Sequence, residues 1–313
     1  MDEIRQRIST CRSQLQKSTI DTYMISLKKV CRELFKSNQI NENYFRDFES
    51  VKEYLDEICS LATRKNTLTS IMVCLKSNSN TPEYLVKLYG DYHADLIKKQ
   101  KDSYKDQDRS VKETENWITL NDISQKIDYL NKSLHVIDHM QQHLVLNLYT
   151  KLPPMRNDWA NMIVISSEDD DAHMKNCIAK KLLDSSCNYI NIKTNKVYMC
   201  NYKTMKTYGM KCLDLDESIC SLIKNFVNAK KKNGYEGNKL LINVSNGSPM
   251  TKNGLTKYLN KIFKPKKVST TLLRKVYLSE RYPVLHTTRD MERDAEFMMH
   301  NVSTQQGVYR KSF

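Results

Sequence analysis

Apolar side chains recur at helical spacing through most of the first hundred residues, and this periodicity constrains the fold more than any other feature of the chain. In STIDTYMISLKKVCRELF, Ser18 and Asp21 form a capping-box pattern ahead of an amphipathic run. Stretches with the same spacing follow at residues 50–62, 66–77 and 82–99. Because each amphipathic helix must bury its apolar face, residues 1–100 are predicted to form an all-helical bundle.

A run of charged and polar residues, KKQKDSYKDQDRSVKETEN at positions 98–116, interrupts this periodicity. Such a composition is typical of an exposed connection between domains. A chain of 313 residues is also long enough for two domains, since single cores rarely grow beyond about 250 to 300 residues. We therefore predict a helical domain at 1–100, a charged linker at 101–116 and a second domain at 117–313.

In the second domain, helical and strand-like patterns are mixed. Helical spacing is found at residues 120–131, 134–150 and 216–232, and further helices are expected towards the C-terminus. Short alternating or β-branched runs lie at 162–166, 189–193, 196–202 and 210–215, with another strand-like run at 240–244. Such runs, separated by polar turns, indicate a small antiparallel sheet. The predicted fold class is mainly α with a small antiparallel β-sheet.

The charge balance points to a polyanionic partner. Fifty Lys and Arg residues against 36 Asp and Glu give a formal net charge of +14. An excess of this size suits nucleic acid or an anionic membrane surface, and it bears on partners and not on fold. No apolar run approaches the roughly 18 residues that a membrane span requires, so an intracellular protein without a membrane partner is expected.

No cofactor or metal is expected from the sequence. The nine cysteines include no CxxC pair, which favours reduced thiols. His135, His139 and His143 are spaced by four residues, but no further ligand motif completes a zinc site, so a polar helix face is favoured. The acidic run at 168–171 is more typical of a solvated turn than of a cation site. Phosphate-binding glycine loops and the GxSxG elbow are missing.

Four separated fragments of the second domain carry side chains that could take part in catalysis. They are LYTKLPPMRNDWANM with Arg156, CNYKTMKTYGMKCLDL with Lys203 and Lys206, STTLLRKVYLSERY with Arg274, and FMMHNVSTQQGVYRK with His300 and Tyr309. Each fragment alone fits an ordinary surface cation, polar helix residue or aromatic side chain. Their order along the chain carries the argument.

Together these fragments resemble the tyrosine recombinase (integrase) family, in which Arg, Lys, a His-x-x-Arg box, His or Trp, and a C-terminal Tyr occur in this order. The resemblance covers most of the chain, and its most specific part is MMHNVSTQQGVY. It implies an N-terminal core-binding domain, a C-terminal catalytic domain and the catalytic positions Arg156, Lys203, Arg274, His300 and Tyr309. It also implies double-stranded DNA with specific recombination sites as the partner, and a homotetramer on that DNA.

Elementary chemistry agrees with the roles that the resemblance implies. A phosphodiester repels nucleophiles, and the guanidinium groups of Arg156 and Arg274 would neutralise its nonbridging oxygens. Tyr309 would attack phosphorus to give a 3′-phosphotyrosine intermediate, which conserves the bond energy and needs no ATP. Lys203 would protonate the departing 5′ oxygen, and His300 would bond the phosphate or assist the tyrosine.

The chain departs from the family pattern at three further candidate positions. Thr271 stands where the first His of the His-x-x-Arg box is usual, and it cannot shuttle protons at neutral pH. Asp158 lies one position before the carboxylate that often follows the first Arg, where this chain has Trp159. Lys206 is an alternative to Lys203 as the hairpin lysine.

Two other functions fit the same pattern. A type IB topoisomerase would use the same phosphotyrosine chemistry as a monomer, and a catalytically weakened member of the fold would bind DNA only. The size of the helical N-terminal domain favours the recombinase. The abundance of Lys, Asn and Ile indicates an AT-rich genome, such as that of a virus or mobile element, and the expected location is intracellular, at DNA.

Overall fold

The chain forms two compact units, Met1–Asp106 and Gln107–Phe313. A computed structural model describes residues 2–105, 108–168, 174, 176–178, 180, 183–282 and 288–311. Within these ranges, no helix combines the length and the hydropathy that a membrane span requires.

The first unit is entirely helical over its described residues. Its helices are α1 (Asp2–Cys11), α2 (Lys17–Glu33), α3 (Phe48–Asp56), α4 (Leu61–Lys76) and α5 (Glu83–Lys105), with a 3₁₀ turn at Glu42–Arg46. Helix α4 packs against α2, α3 and α5. Leu27, Phe45 and Tyr89 are fully buried in the shared core, and the Tyr89 hydroxyl donates to the Phe45 carbonyl at 2.8 Å. The predicted helical bundle is present.

The polar segment 101–116 contains more helix than an exposed linker requires. Helix α5 continues to Lys105, and α6 begins at Val111 and ends at Asn116. A capping box between Ser110 and Glu113 starts α6, and local capping of this kind needs no apolar face. The domain limits 1–100, 101–116 and 117–313 stay a prediction.

The second unit surrounds a small sheet with helices. After α6 its helices are α7 (Leu120–Asn131), α8 (Ile137–Thr150), α9 (Met205–Tyr208), α10 (Glu217–Lys232), α11 (Lys252–Ile262), α12 (Thr270–Arg281), α13 (Thr288–Phe297) and α14 (Val302–Thr304). A 3₁₀ turn lies at Asn157–Asn161 and a π-helical turn at Gln305–Tyr309. Helix α8 is buried on all sides from Gln141 to Tyr149 and forms the centre of the unit.

Four strands form one sheet in the order β1 (Met162–Ile165), β2 (Asn188–Asn191), β3 (Lys196–Met199) and β4 (Lys211–Asp214). The pairs β2–β3 and β3–β4 are antiparallel, as predicted, with Val197 opposite both Ile190 and Leu213. The pair β1–β2 is parallel, so the sheet is mixed: its small size and its two antiparallel pairs agree with the prediction, and the pairing of β1 with β2 differs from it. The long connection between β1 and β2 allows a parallel pair, which a short turn cannot.

The strand-like run at 240–244 makes only isolated bridges. Ile242 pairs with Pro249 in this way. A buried side chain supplies the other hydrogen bonds of Ile242: the Gln141 amide accepts from its N–H at 2.9 Å and donates to its carbonyl at 3.0 Å. The Gln141 amide on α8 therefore makes the hydrogen bonds to Ile242 that a neighbouring strand would make.

Replacing Gln141 by Met should destabilise the second unit by about 2 to 4 kcal/mol, because the buried N–H and carbonyl of Ile242 lose their partners. Urea unfolding measured by tryptophan fluorescence tests this, since Trp117 and Trp159, the two tryptophans of the chain, both lie in this unit. Gln125→Met, at an exposed position of α7, is the matched control. Equal stability of the two variants would contradict the prediction.

Candidate functional site

Tyr309 lies at the centre of a buried cluster formed by three of the four sequence fragments. It ends the π-helical turn Gln305–Tyr309, and its side chain is 8% exposed. The Arg156 Nη2 atom donates to its hydroxyl at 3.4 Å. The Arg274 guanidinium carbon lies 4.5 Å from its ring centroid, and the His300 ring lies 5.3 Å away, centroid to centroid. A nucleophilic hydroxyl and two guanidinium groups therefore meet in one place.

Arg156 is positioned by the turn that follows α8. It precedes the 3₁₀ turn Asn157–Asn161 as its N-cap residue, and it is half-buried. The fully buried Tyr149 hydroxyl donates to the Arg156 carbonyl at 2.9 Å. The backbone of Arg156 is thus fixed from inside the unit, which leaves its guanidinium directed at Tyr309.

Arg274 lies on α12 and is 0% exposed. Its Nη1 donates to the Pro154 carbonyl at 2.9 Å, and its Nη2 donates to the Met298 carbonyl at 3.4 Å and to His300 Nδ1. Burial lowers the pKa of Arg274 to about 10, so the group is still a cation at neutral pH. The buried charge faces the Tyr309 ring, which stabilises it through a cation–π contact.

His300 is a neutral donor in this cluster. Its Nδ1 accepts a hydrogen bond from Arg274, so the neutral ring carries its proton on Nε2. Burial and the positive charges of Arg274 and Arg156 lower the pKa of His300 to about 3. The buried His300 Nε2 and Arg274 Nε have no hydrogen-bond partner among the described residues. Both N–H groups are thus available to an anion or to water.

The charges around Tyr309 favour its phenolate. Burial alone would raise the pKa of Tyr309, but Arg274, Arg156 and, to a smaller extent, Lys203 lower it below its usual value. Positive charge near a hydroxyl stabilises the deprotonated form, which is the stronger nucleophile. These charges therefore make the ionisation of Tyr309 easier than it would be for an equally buried tyrosine without them.

Lys203 and Lys206 lie on the connection between β3 and β4, and both are exposed. Lys203 precedes α9 and its charge acts on Tyr309, whereas Lys206 lies within α9. The Thr204 hydroxyl donates to the Met299 carbonyl at 2.9 Å, which attaches this hairpin beside His300. The charge of Lys203 is among those that lower the pKa of Tyr309, and the choice between the two lysines stays a prediction.

Two further candidates lie outside the cluster of buried contacts. Thr271 is exposed on the first turn of α12. The buried Asp158 carboxylate pairs with Lys252 of α11 at 3.1 Å, which makes it part of the scaffold under the 3₁₀ turn. Trp159 is fully buried in the core.

The histidines and the acidic run that were weighed as metal ligands are not gathered together in the part of the chain that the structure describes. Helix α8 begins at Ile137, so His135 lies outside the helix on which the regular spacing depended. His139 contacts Ser133, and His143 contacts Asn147. Of the acidic run, residues 169–171 lie outside the described residues, and Glu168 pairs with Lys193. Within the described part of the chain, no group of three His, Cys, Asp or Glu side chains is arranged to hold a metal ion.

The residues that hold the cluster in place were not predicted from the sequence. Tyr149 bonds the Arg156 carbonyl, and the Thr270 hydroxyl donates to the Asn157 side chain at 2.7 Å. Thr270 lies four residues before Arg274, so both share one helix face, and this spacing was the available signal.

Acid should destabilise the second unit through His300. The unfolded histidine binds a proton below its ordinary pKa of 6.5, whereas the folded one does so only near 3. Between these values the unfolded state binds more protons, so the free energy of unfolding should fall by about 1.4 kcal/mol for each unit of decreasing pH. Urea unfolding of the wild type and His300→Gln at pH 7, 6 and 5 isolates this contribution, because all other groups are shared. Parallel pH dependences would contradict it.

Comparison with solved structures finds similar chains, of which one is named here. A crystal structure of XerA recombinase matches with a TM-score of 0.41 and 9% sequence identity, over 97% of this chain and 92% of that chain. No family model matches the chain, and no curated protein matches it.

Proposed function

We propose that this protein is a site-specific DNA recombinase or integrase that cleaves and rejoins DNA strands through a 3′-phosphotyrosine intermediate. The observation that carries the proposal is the Tyr309 hydroxyl beside Arg156, with the Tyr309 ring over the Arg274 guanidinium and with Arg274 Nε and His300 Nε2 left without partners among the described residues. Unpartnered buried donors around a hydroxyl fit an anionic substrate that reacts with that hydroxyl.

In the proposed step, the Tyr309 oxygen attacks the phosphorus of one DNA strand. The Tyr309 proton leaves to solvent, a bond forms between the phenolic oxygen and phosphorus, and the bond from phosphorus to the 5′ oxygen breaks. Lys203 gives a proton to that departing oxygen, a contribution of roughly 10² to 10⁴ in rate. Arg156, Arg274 and His300 donate hydrogen bonds to the nonbridging oxygens. Rejoining reverses the step, so no external energy source is needed.

The Tyr309 ring covers the guanidinium of Arg274, which is fully buried. A phosphate that bonds Arg274 must therefore reach it past this ring. We propose that the turn carrying Tyr309 moves when DNA binds, and that the buried donors then face the phosphate.

The remaining positive charge would serve binding. With a net charge of +14, many lysines and arginines are available to contact phosphates along a duplex. Each neutralised phosphate should contribute about −0.9 to the slope of log K against log salt. We further propose specific recombination sites, a tetramer on DNA and origin in a virus or mobile element, with the protein acting at DNA inside the cell.

A library of nicked duplexes tests the proposal without knowledge of the target site. The nick releases a short fragment after cleavage, so that a covalent intermediate accumulates. We expect a denaturation-resistant adduct in which the peptide bearing Tyr309 carries a 3′ phosphate, on a limited set of sequences. If no duplex gives an adduct, the proposed cleavage is contradicted and the alternative of a protein that only binds DNA is favoured. Relaxation of supercoiled plasmid by isolated protomers, without site preference, would favour the topoisomerase.

A further inference from the structure

The segment that carries Arg156 is held at three successive points by buried groups. Arg274 donates to the Pro154 carbonyl at 2.9 Å, and Tyr149 donates to the Arg156 carbonyl at 2.9 Å. The Asn157 side chain makes the third attachment, to Thr270 of α12. The first two attachments bond backbone groups, whereas the third depends on two side chains.

The Asn157 amide connects two helices. Its Oδ1 accepts from the Thr270 hydroxyl at 2.7 Å, and its Nδ2 donates to the Thr256 hydroxyl of α11 at 3.2 Å. Thr270 is buried, and it lies one helical turn before Arg274 on the same face of α12. The bond between Asn157 and Thr270 therefore fixes the distance between the residue next to Arg156 and the helix that carries Arg274.

We propose that Asn157 and Thr270 form a positioning pair that sets Arg156 against Tyr309 and Arg274. This inference rests on the proposed function, because it assigns the pair to the chemistry of Tyr309. The hydrogen bonds described for these side chains join them to each other and to Thr256, so they act through the backbone of the 3₁₀ turn. Removal of the Thr270 hydroxyl frees Asn157 Oδ1 and lets the turn that carries Arg156 shift, and such small displacements of a catalytic group reduce rates strongly.

The first test compares single-turnover cleavage by Thr270→Val, Thr270→Ser and Thr150→Val at saturating nicked DNA. Thr270→Val keeps the shape but loses the donor, so its rate should fall by about 10- to 100-fold. Thr270→Ser keeps the donor and should restore most of the rate. The Thr150 hydroxyl donates to a carbonyl of its own helix, at 2.9 Å to Leu146, and Thr150→Val serves as the matched control with a wild-type rate. An unchanged rate in Thr270→Val, or an equal loss in the control, would overturn the proposal.

The second test needs no DNA. Tyrosine labelled at its ring carbon next to oxygen reports phenol ionisation by NMR, and the signal of Tyr309 is the one that Tyr309→Phe lacks among those of the 18 tyrosines. Arg156 helps to lower the pKa of Tyr309, so a displaced Arg156 should let that pKa rise in Thr270→Val and return in Thr270→Ser. An identical titration in all three proteins would overturn the positioning pair.

The two tests separate the two proposals. If the wild type forms no adduct but Thr270→Val raises the pKa of Tyr309, the proposed function fails and the positioning pair stands. If the wild type forms the adduct and Thr270→Val matches it in rate and titration, the pair fails and the function stands. Thr270→Val must also keep the tryptophan fluorescence of the wild type. If it does not, Asn157→Leu, which removes the acceptor of the Thr270 hydroxyl, replaces it in both tests with the same expected losses.

Discussion

Replacement of Tyr309 by Phe should abolish the covalent DNA adduct. Removal of a nucleophile from a protease lowers kcat by about 10⁶, and a loss on that scale is expected here because phenylalanine cannot form the phosphate ester. The measurement is adduct formation on the selected nicked duplex, separated under denaturing conditions. Binding to the same duplex should change little, because most affinity comes from distributed phosphate contacts.

The structure explains why Tyr309→Phe is a clean substitution. The ring remains over the Arg274 guanidinium, so the cation–π contact and the burial of the arginine are kept. The substitution removes the hydroxyl and with it the 3.4 Å bond from Arg156. Tyr208→Phe, at an exposed position on α9, is the matched control and should cleave like the wild type. The same adduct in Tyr309→Phe would show that another side chain is the nucleophile.

Local patterns were enough to predict most helices and the strands of the sheet. The run 216–232 became α10 (Glu217–Lys232) with one residue of difference, because an Asp216 cap and an amphipathic face are properties of the segment itself. The start of α8 was placed too early, since Val136 and its neighbours precede a helix whose burial depends on tertiary packing. The parallel pairing of β1 with β2 also depends on distant segments, which periodicity does not report.

In the candidate site, too, some features could be predicted from the sequence and others depend on distant segments. Arg156, Arg274, His300 and Tyr309 could be proposed from residue types in a fixed order, and the structure places them together. Their roles stay predictions. The groups that hold them could not be predicted, because a bond such as that from Tyr149 to the Arg156 carbonyl joins a side chain to a backbone atom, and a carbonyl has no sequence signature.

Replacement of Arg274 by Lys should lower the cleavage rate by about 10³-fold, while duplex affinity stays within a few-fold of the wild type. An ammonium group keeps the charge, but it cannot reproduce the planar fork that bonds the Pro154 carbonyl and His300 together. Because the ammonium keeps the positive charge that most lowers the pKa of Tyr309, the pH dependence of cleavage should stay close to that of the wild type. Single-turnover rates across pH 6 to 9 test both expectations.

Lysine is preferred over alanine as the replacement at position 274 because the site is fully buried. Alanine would leave two carbonyls without a hydrogen-bond donor and would open a cavity. Arg293→Lys, on an exposed side chain of α13 that lies 3.9 Å from Asp290, is the matched control and should cleave like the wild type. Arg274→Lys is informative when its tryptophan fluorescence and urea midpoint remain close to those of the wild type. Under that condition, equal losses of duplex binding and cleavage would make Arg274 an ordinary DNA contact and would contradict its place in the chemistry.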